Sequence, residues 1–392
     1  MISNLVQKNS SILISDAIIR NALPEEAWLL SEIASRSKSY WPYDEEYLRM
    51  CRSVTHVTDE DIYSWPFRVV EAQGKVLGFA AVCPVKGENM LDHLWIEPEF
   101  IGKGVGNFLY LDAVTQAKAM GWTKFTIAAD PYAEKFYEKM GAKRIGERES
   151  KIKPGFFLPL LEFEIGLTLI GDEAVKQIQV QECGEEIVDL SKEFLTLMFD
   201  WDRHHVQKKS ESISLARRSI GEKLILAQSL LPKGIRLLIK ECYRPMNVQR
   251  SFWDGYTEHL KKKFPTWSDG DIYRECSKPN APLDVAPHTT GGAVDLTLAD
   301  ENGVPLNMGT EFNAESIETH NATYTAADNI SSEARKNRQM LMSVMSKVGF
   351  VNYPTEWWHW SHGDKYWAFQ TNQPHAIFGS VELTQKETLL ND

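Results

Sequence analysis

The chain has 392 residues, 43% hydrophobic, 25% charged and 11% aromatic, with a formal charge of −11. At roughly 100–200 residues per domain this length predicts two or three domains, and the near-average composition excludes a disordered or fibrous protein. The acidic balance argues against nucleic acid or an anionic membrane as partner, and no apolar run approaches the ~20 residues that span a bilayer. The first residues, MISNLVQKNSSILISDAII, lack a basic region, an unbroken apolar core and a small-residue cleavage site, so no secretory signal is read there. Cys51, Cys83, Cys183, Cys242 and Cys276 are scattered and form no CxxC pair, which is the pattern of a reduced, cytoplasmic protein.

In chain order, residues 67–82 predict two strands around a Gln73–Gly74 turn, and 89–97 a third, stopped by Pro98. A Gly-rich turn then leads into a helix over 105–120, ended by Gly121. A strand over 124–129, a short helix over 132–140 and a strand over 156–169 complete this half. The alternation predicts an α/β sandwich with partly parallel strands. The polar stretch 171–184 has no helical stripe, and the domain boundary is placed there. Beyond it the pattern predicts helices over 214–231, 246–264 and 332–347, strands over 235–240 and 293–298, and a strand pair within 350–360. Pro- and Asp-rich loops fill the gap after 264, and this half reads as α+β.

Two segments of the first half carry chemistry. In EPEFIGKGVG, residues 97–106, glycines at 102, 104 and 106 stand between a strand and a helix. Without Cβ atoms they let backbone N–H groups approach an anion at a helix N-terminus, although such turns also serve merely to join elements. LWIEPEFIGKGVG followed by DPYAEKFYEKMGA (residues 130–142) resembles the GCN5-related N-acetyltransferases over about residues 15–169. The resemblance implies acetyl-CoA as cofactor, its pyrophosphate held by the backbone of Gly102, Lys103, Gly104, Val105 and Gly106, and Tyr137 as the group that protonates the leaving thiolate. Tyr137 also reads simply as a packing aromatic. Ile101 departs from the Arg or Gln of many members. His93 and Glu97, at the end of the preceding strand, are candidates for the base that deprotonates an amine, and each also reads as structural.

In the second half, PHTTGGAVD (287–295) and EWWHW (356–360) bring two imidazoles and one carboxylate, a set that holds a catalytic zinc ion with a fourth position open. Glu356, beside that set, has the place of a proton carrier, although each His taken alone also reads as a core or surface residue and Glu356 as part of an amphipathic strand edge. Arg244, in ECYRP after an apolar strand, reads either as a charge for a developing oxyanion or as half of a structural ion pair. YRP, HTTGGAVDLTL, MGTEF and EWWHW, in this order, resemble the zinc D-alanyl-D-alanine dipeptidases of the vancomycin-resistance type over about residues 190–370. The resemblance implies zinc ligation by His288, Asp295 and His359, Glu356 as general acid/base and Arg244 at the tetrahedral intermediate. It implies a small D,D-dipeptide as substrate. The fold expected is therefore an α/β N-acetyltransferase domain (15–169), a linker (170–189) and an α+β zinc D,D-peptidase domain (190–380).

One departure stands out. In the dipeptidases MG-x-x-F is followed by an Asp that holds the substrate ammonium; here Met308, Gly309 and Phe312 are followed by Asn313. Loss of that charge predicts either a weaker requirement for a free amino terminus or a substrate other than plain D-alanyl-D-alanine, and Glu311 beside it is a candidate substitute. The clustered Trp357, Trp358, Trp360 and Trp367 are expected around the dipeptide pocket. The expectation is a bifunctional cytoplasmic enzyme: a zinc D,D-dipeptidase joined to an acetyl-CoA-dependent acetyltransferase acting on a small amine. Its rivals are a D,D-carboxypeptidase or amidase acting on a blocked dipeptide, and a binding module without turnover.

Overall fold

A computed structural model describes residues 17–85, 87–201 and 211–383. Contacts within it separate two units, Met1–Val114 with Lys124–Glu164, and Thr115–Thr123 with Ile165–Asp392.

The first unit holds β1 (Ile18–Asn21), β2 (Phe67–Ala72), β3 (Lys75–Val85), β4 (Glu88–Ile96), β5 (Lys124–Ala128), β6 (Lys143–Glu149) and β7 (Phe157–Glu164). They form one sheet in the order β1-β2-β3-β4-β5-β7-β6. Gln73 and Gly74 both take positive φ, 51° and 75°, a two-residue turn whose twist suits the flanking strands, so β2 and β3 pair directly. β4 and β5 pair in parallel and the other neighbours are antiparallel, so the parallel character is confined to one junction.

Between β1 and β2 lie three helices absent from the sequence reading, α1 (Ala27–Lys38), α2 (Glu45–Thr55) and α3 (Asp59–Ser64). They are short, but their signals are local. Leu30, Ile33 and Ala34 of α1 fall on one face and are buried in a cluster with Val69 and Phe79. Asp44 caps α2 by accepting from the Tyr47 N–H at 2.7 Å, and Thr58 with Asp61 forms a capping box on α3. α4 (Val105–Ala119) provides the crossover that a parallel pair needs, and α5 (Glu134–Lys139) follows β5.

The second unit contains β8 (Ile187–Asp189), β9 (Met198–Phe199), β10 (Leu215–Arg217), β11 (Ile235–Glu241), β12 (Ala293–Asp300), β13 (Val351–Tyr353) and β14 (Glu356–Ser361). A five-stranded sheet runs β13-β14-β12-β11-β9, while β10 pairs with β8. Its helices are α6 (Glu173–Lys176), α7 (Leu190–Glu193), α8 (Arg218–Ser229), α9 (Met246–Lys263), α10 (Asp269–Cys276), α11 (Ser332–Lys347) and α12 (Lys365–Gln370).

Four expectations shift here. The strand expected to reach residue 169 stops at Glu164, and Leu169 is buried in the second unit's core. The stretch 170–189, expected as a linker, packs into that unit: Ile170 and Val175 join Tyr353 and Tyr366, and Ile187–Asp189 pairs with β10. Its buried apolar side chains are too sparse to make a visible stripe. The helix expected from 214 begins at Arg218, because Leu215–Arg217 is held extended by β8. Within the expected loop after 264, Ser268 and Asp271 form a capping box that starts α10.

Candidate active site

Three neighbouring strands of the second unit set acidic and imidazole side chains in a row. Glu241 on β11 lies opposite Asp295 on β12, and Asp295 lies opposite His359 on β14. Direct cross-strand partners share a face, so the three converge. His288 joins them from a 3-10 turn, Pro287–Thr290, which Gly291 closes at φ 71°. The Cys242 carbonyl accepts from His288 Nδ1 at 2.6 Å, leaving Nε2 with its lone pair free. That atom is 3.1 Å from His359 Nδ1 and 3.3 Å from Asp295 Oδ1, and His359 Nδ1 is 3.0 Å from the same oxygen.

All three side chains are buried, and their donor atoms lie within 4.8 Å of one another. Burial alone would raise the Asp295 carboxyl, but His288 and His359 hold it far below its ordinary range. Burial pulls His359 down, toward the neutral imidazole a metal requires, whereas His288, against burial, is raised by the Asp295 carboxylate, and a bound cation would displace its proton. With both imidazoles deprotonated, they and the one carboxylate form a borderline donor set that suits zinc, so the residues fit the expected ion.

The set lines a cavity of about 230 Å³ together with Arg244, Glu356 and Trp358. Glu356 is half-buried; desolvation and the Asp295 charge push its carboxyl well above the usual range, and Arg244 opposes them. Arg244 is rigidly held. It donates to both Glu241 oxygens at 2.8 and 2.7 Å and to Gln249 Oε1 at 2.9 Å, and its guanidinium sits 4.9 Å from the Phe252 ring centre. The two readings of Arg244 are thus compatible: the ion pair orients it, and its remaining N–H groups are left for a ligand.

The first unit carries the second candidate site. Gly102 and Gly104 take φ of 79° and 96°, and a Cβ on either would meet no atom within 4 Å. Their amides, and those of Val105 and Gly106 in the first turn of α4, have no hydrogen-bond acceptor among the described residues. The Lys103 amide differs, donating to the Phe100 carbonyl at 3.2 Å. Open N–H groups at a helix N-terminus fit a pyrophosphate. Tyr137 is buried beside Tyr110 and Phe136, and burial raises its hydroxyl, so it stays protonated near neutrality. His93 is packed between Phe67 and Phe79, accepts from Trp95 Nε1 at 3.1 Å, and is kept by burial below the ordinary histidine range. Glu97 is buried and receives two hydrogen bonds from Arg36, at 2.6 and 3.1 Å. Both have structural occupations.

A family model described as D-ala-D-ala dipeptidase matches residues 203–380. The D-alanyl-D-alanine dipeptidase of Enterococcus faecium is 31% identical over 145 residues, covering 36% of this chain and 69% of that protein. The chain belongs to the D-alanyl-D-alanine dipeptidase family. The D-alanyl-D-alanine dipeptidase of Synechocystis sp. is 28% identical over 235 residues, 52% of this chain and 95% of that protein. Unlike a single-domain dipeptidase, this member has a first unit whose residues 56–153 match the acetyltransferase (GNAT) domain model, giving it the N-acetyltransferase fold. Among solved structures, the paia N-acetyltransferase from Thermoplasma acidophilum, in complex with coenzyme A, is similar at 22% identity. It covers 38% of this chain and 98% of its own, with a TM-score of 0.32.

Within the dipeptidase unit the structure sorts the remaining expectations. Asn313 lines the cavity that contains His288, Asp295 and His359, at φ 60°. Glu311 does not; it lines a separate cavity with Lys240, Thr297 and Trp357. The tryptophans also divide. Trp358 faces the same cavity, whereas Trp357 donates to Thr310 Oγ1 at 2.9 Å, Trp360 is wholly buried and Trp367 donates to the Gly349 carbonyl at 3.2 Å. Trp357 and Trp358, neighbours on β14, line different cavities. Sequence reasoning missed Glu241, Gln249, Phe252, Tyr256 and Glu315. The ECYRP stretch did contain one signal, an acid three residues before Arg244.

Proposed function

We propose that the second unit hydrolyses D-alanyl-D-alanine or a closely related D,D-dipeptide in a zinc-dependent reaction, and that the first acetylates a small amine from acetyl-CoA. The dipeptidase reading is carried by one observation: His288, Asp295 and His359 converge, buried, in a cavity that also presents Glu356 and Arg244. His288 Nε2, His359 Nδ1 and an Asp295 oxygen would hold the zinc. When bound, zinc acts as a Lewis acid toward the peptide carbonyl and lowers the pKa of water.

Glu356 takes the proton of the attacking water and returns it to the departing amine. Its carboxyl is pushed up by burial and Asp295, and neutralising the Asp295 charge with a bound cation lowers it again, toward a value suited to both tasks. Arg244, locked by Glu241 and Gln249, presents fixed positive charge to the developing oxyanion. In the acetyltransferase unit, the open amides of Gly102, Gly104, Val105 and Gly106 would receive the pyrophosphate, and Tyr137 would protonate the thiolate. The proposed setting is the cytoplasm, supported by five free cysteines; no helix among the described residues is long and apolar enough to cross a membrane.

The test compares the wild type with Glu356→Gln for zinc content and for release of D-alanine from D-alanyl-D-alanine. Full zinc in both proteins with hydrolysis abolished by the substitution is expected, and chelation of the metal should abolish the wild-type reaction. Zinc binding without Glu356-dependent hydrolysis would establish a binding module instead.

A further inference from the structure

The metal cavity contains a carboxylate that the proposed chemistry does not use. Glu315 lines the same cavity as Asn313, Glu356 and the three metal donors. Its Oε2 is buried and has no hydrogen-bond partner, and no cation pairs with it among the described residues. On the same cavity lining, the Tyr256 hydroxyl on α9 is likewise buried without a partner. The two are close enough that the Glu315 charge is, after burial, the main cause raising the Tyr256 hydroxyl. A buried carboxylate oxygen left unsatisfied costs on the order of several kcal/mol unless a ligand or water meets it. Two such atoms, on residues lining one cavity, mark a place prepared for a hydrogen-bond-rich cation.

Resting on the dipeptidase reading, we propose that Glu315, assisted by Tyr256 and Asn313, binds the free ammonium group of the dipeptide in this chain. An alkylammonium presents three N–H donors, and the cavity lining supplies a carboxylate oxygen, a hydroxyl oxygen and an amide oxygen to accept them. The charge absent at Asn313 is restored two residues further along the same loop. Glu311, the neighbour that sequence alone favours, faces the other cavity and has no part in this. The substrate class is therefore a dipeptide with an unblocked amino terminus, and N-acylated dipeptides are excluded by desolvation of an unpaired carboxylate.

The experiment uses the full chain loaded with zinc. Steady-state KM and kcat are measured for D-alanyl-D-alanine and N-acetyl-D-alanyl-D-alanine with the wild type, Glu315→Gln, Glu315→Gln/Asn313→Asp and Glu311→Gln. The wild type should prefer the free dipeptide. Glu315→Gln should raise its KM roughly ten- to hundredfold, the scale of one charge-assisted hydrogen bond, with little change for the acetylated substrate. Adding Asn313→Asp should recover most of the loss, and Glu311→Gln should match the wild type. Equal effects of Glu315→Gln on both substrates, or loss confined to kcat, would overturn the assignment. Calorimetric titration of both dipeptides into Glu356→Gln, with and without Glu315→Gln, reads the same discrimination without turnover. A wild type that hydrolyses neither dipeptide overturns the hydrolase reading, while the calorimetry still decides the role of Glu315: discrimination that survives Glu315→Gln refutes it.

Discussion

Replacing Glu241 by Gln should cripple hydrolysis although Glu241 would touch neither zinc nor substrate. Arg244 makes three side-chain hydrogen bonds, two to Glu241 and one to Gln249. Gln keeps the shape and accepts one of the two, so the loss is a single charge-assisted bond plus the compensation of a buried cation. The Arg244 side chain is only 12% exposed and Glu241 23%, so solvent screening recovers little. One such bond is about 1.5–3 kcal/mol, which corresponds to roughly 10- to 150-fold in rate when the freed guanidinium no longer meets the oxyanion. The loss should fall on kcat more than KM, since the contact forms fully only as the carbonyl becomes tetrahedral. The acidic limb of the pH profile should also move to lower pH. Glu241 and Asp295 both raise the Glu356 carboxyl while Arg244 lowers it, and removing the Glu241 charge leaves Arg244 less neutralised. The assay is kcat, KM and pH dependence for D-alanyl-D-alanine at matched zinc content, with Arg244→Lys as the parallel variant. A Glu241→Gln enzyme that retained full kcat, or whose deficit followed zinc loss, would refute this account of Arg244.

Three other outcomes follow from separate parts of the fold. Gly104→Ala, forced to φ 96°, should cost about 1–2 kcal/mol in backbone strain and weaken acetyl-CoA binding by calorimetry, leaving dipeptide hydrolysis intact; unchanged binding would count against the amide cradle. His362 is lowered to about 4, chiefly by burial and then by Lys223. Its neutral form is native, so its contribution of about 3 kcal/mol is present above the unfolded value near 6.5 and lost as pH falls toward 4. Denaturant midpoints of the wild type should drop over that range more steeply than those of His362→Gln, and parallel curves would refute it. Arg338 is buried and donates to the carbonyls of Met308, Tyr324 and Ala322 at 2.7, 2.6 and 2.8 Å, pinning both ends of the loop that bears Asn313 and Glu315. Arg338→Lys cannot span three carbonyls and should lose about 3 kcal/mol by thermal melting and raise KM; an unshifted Tm would show that the loop holds itself.

Much of the architecture was legible because its signals are local. The Gln73–Gly74 hairpin, the helix over 332–347 and the order of the motifs depend on residues close in sequence, where turn conformation, helical period and caps act. Residue identity likewise nominated His288, Asp295, His359, Glu356 and Arg244, because few side chains can hold a cation or carry a proton. What only tertiary structure decided was relation across distance. The pairing of Glu241, Asp295 and His359 on adjacent strands is a matter of register, and a shift of one residue would turn each to the opposite face. The path of the loop sent Glu311 to one cavity and Asn313 and Glu315 to another, while Trp357 and Trp358, neighbours on β14, divide between the same two. A linear motif counts residues but does not state which way they point, so the sequence alone nominated candidate donors while the folded chain chose which carboxylates surround them.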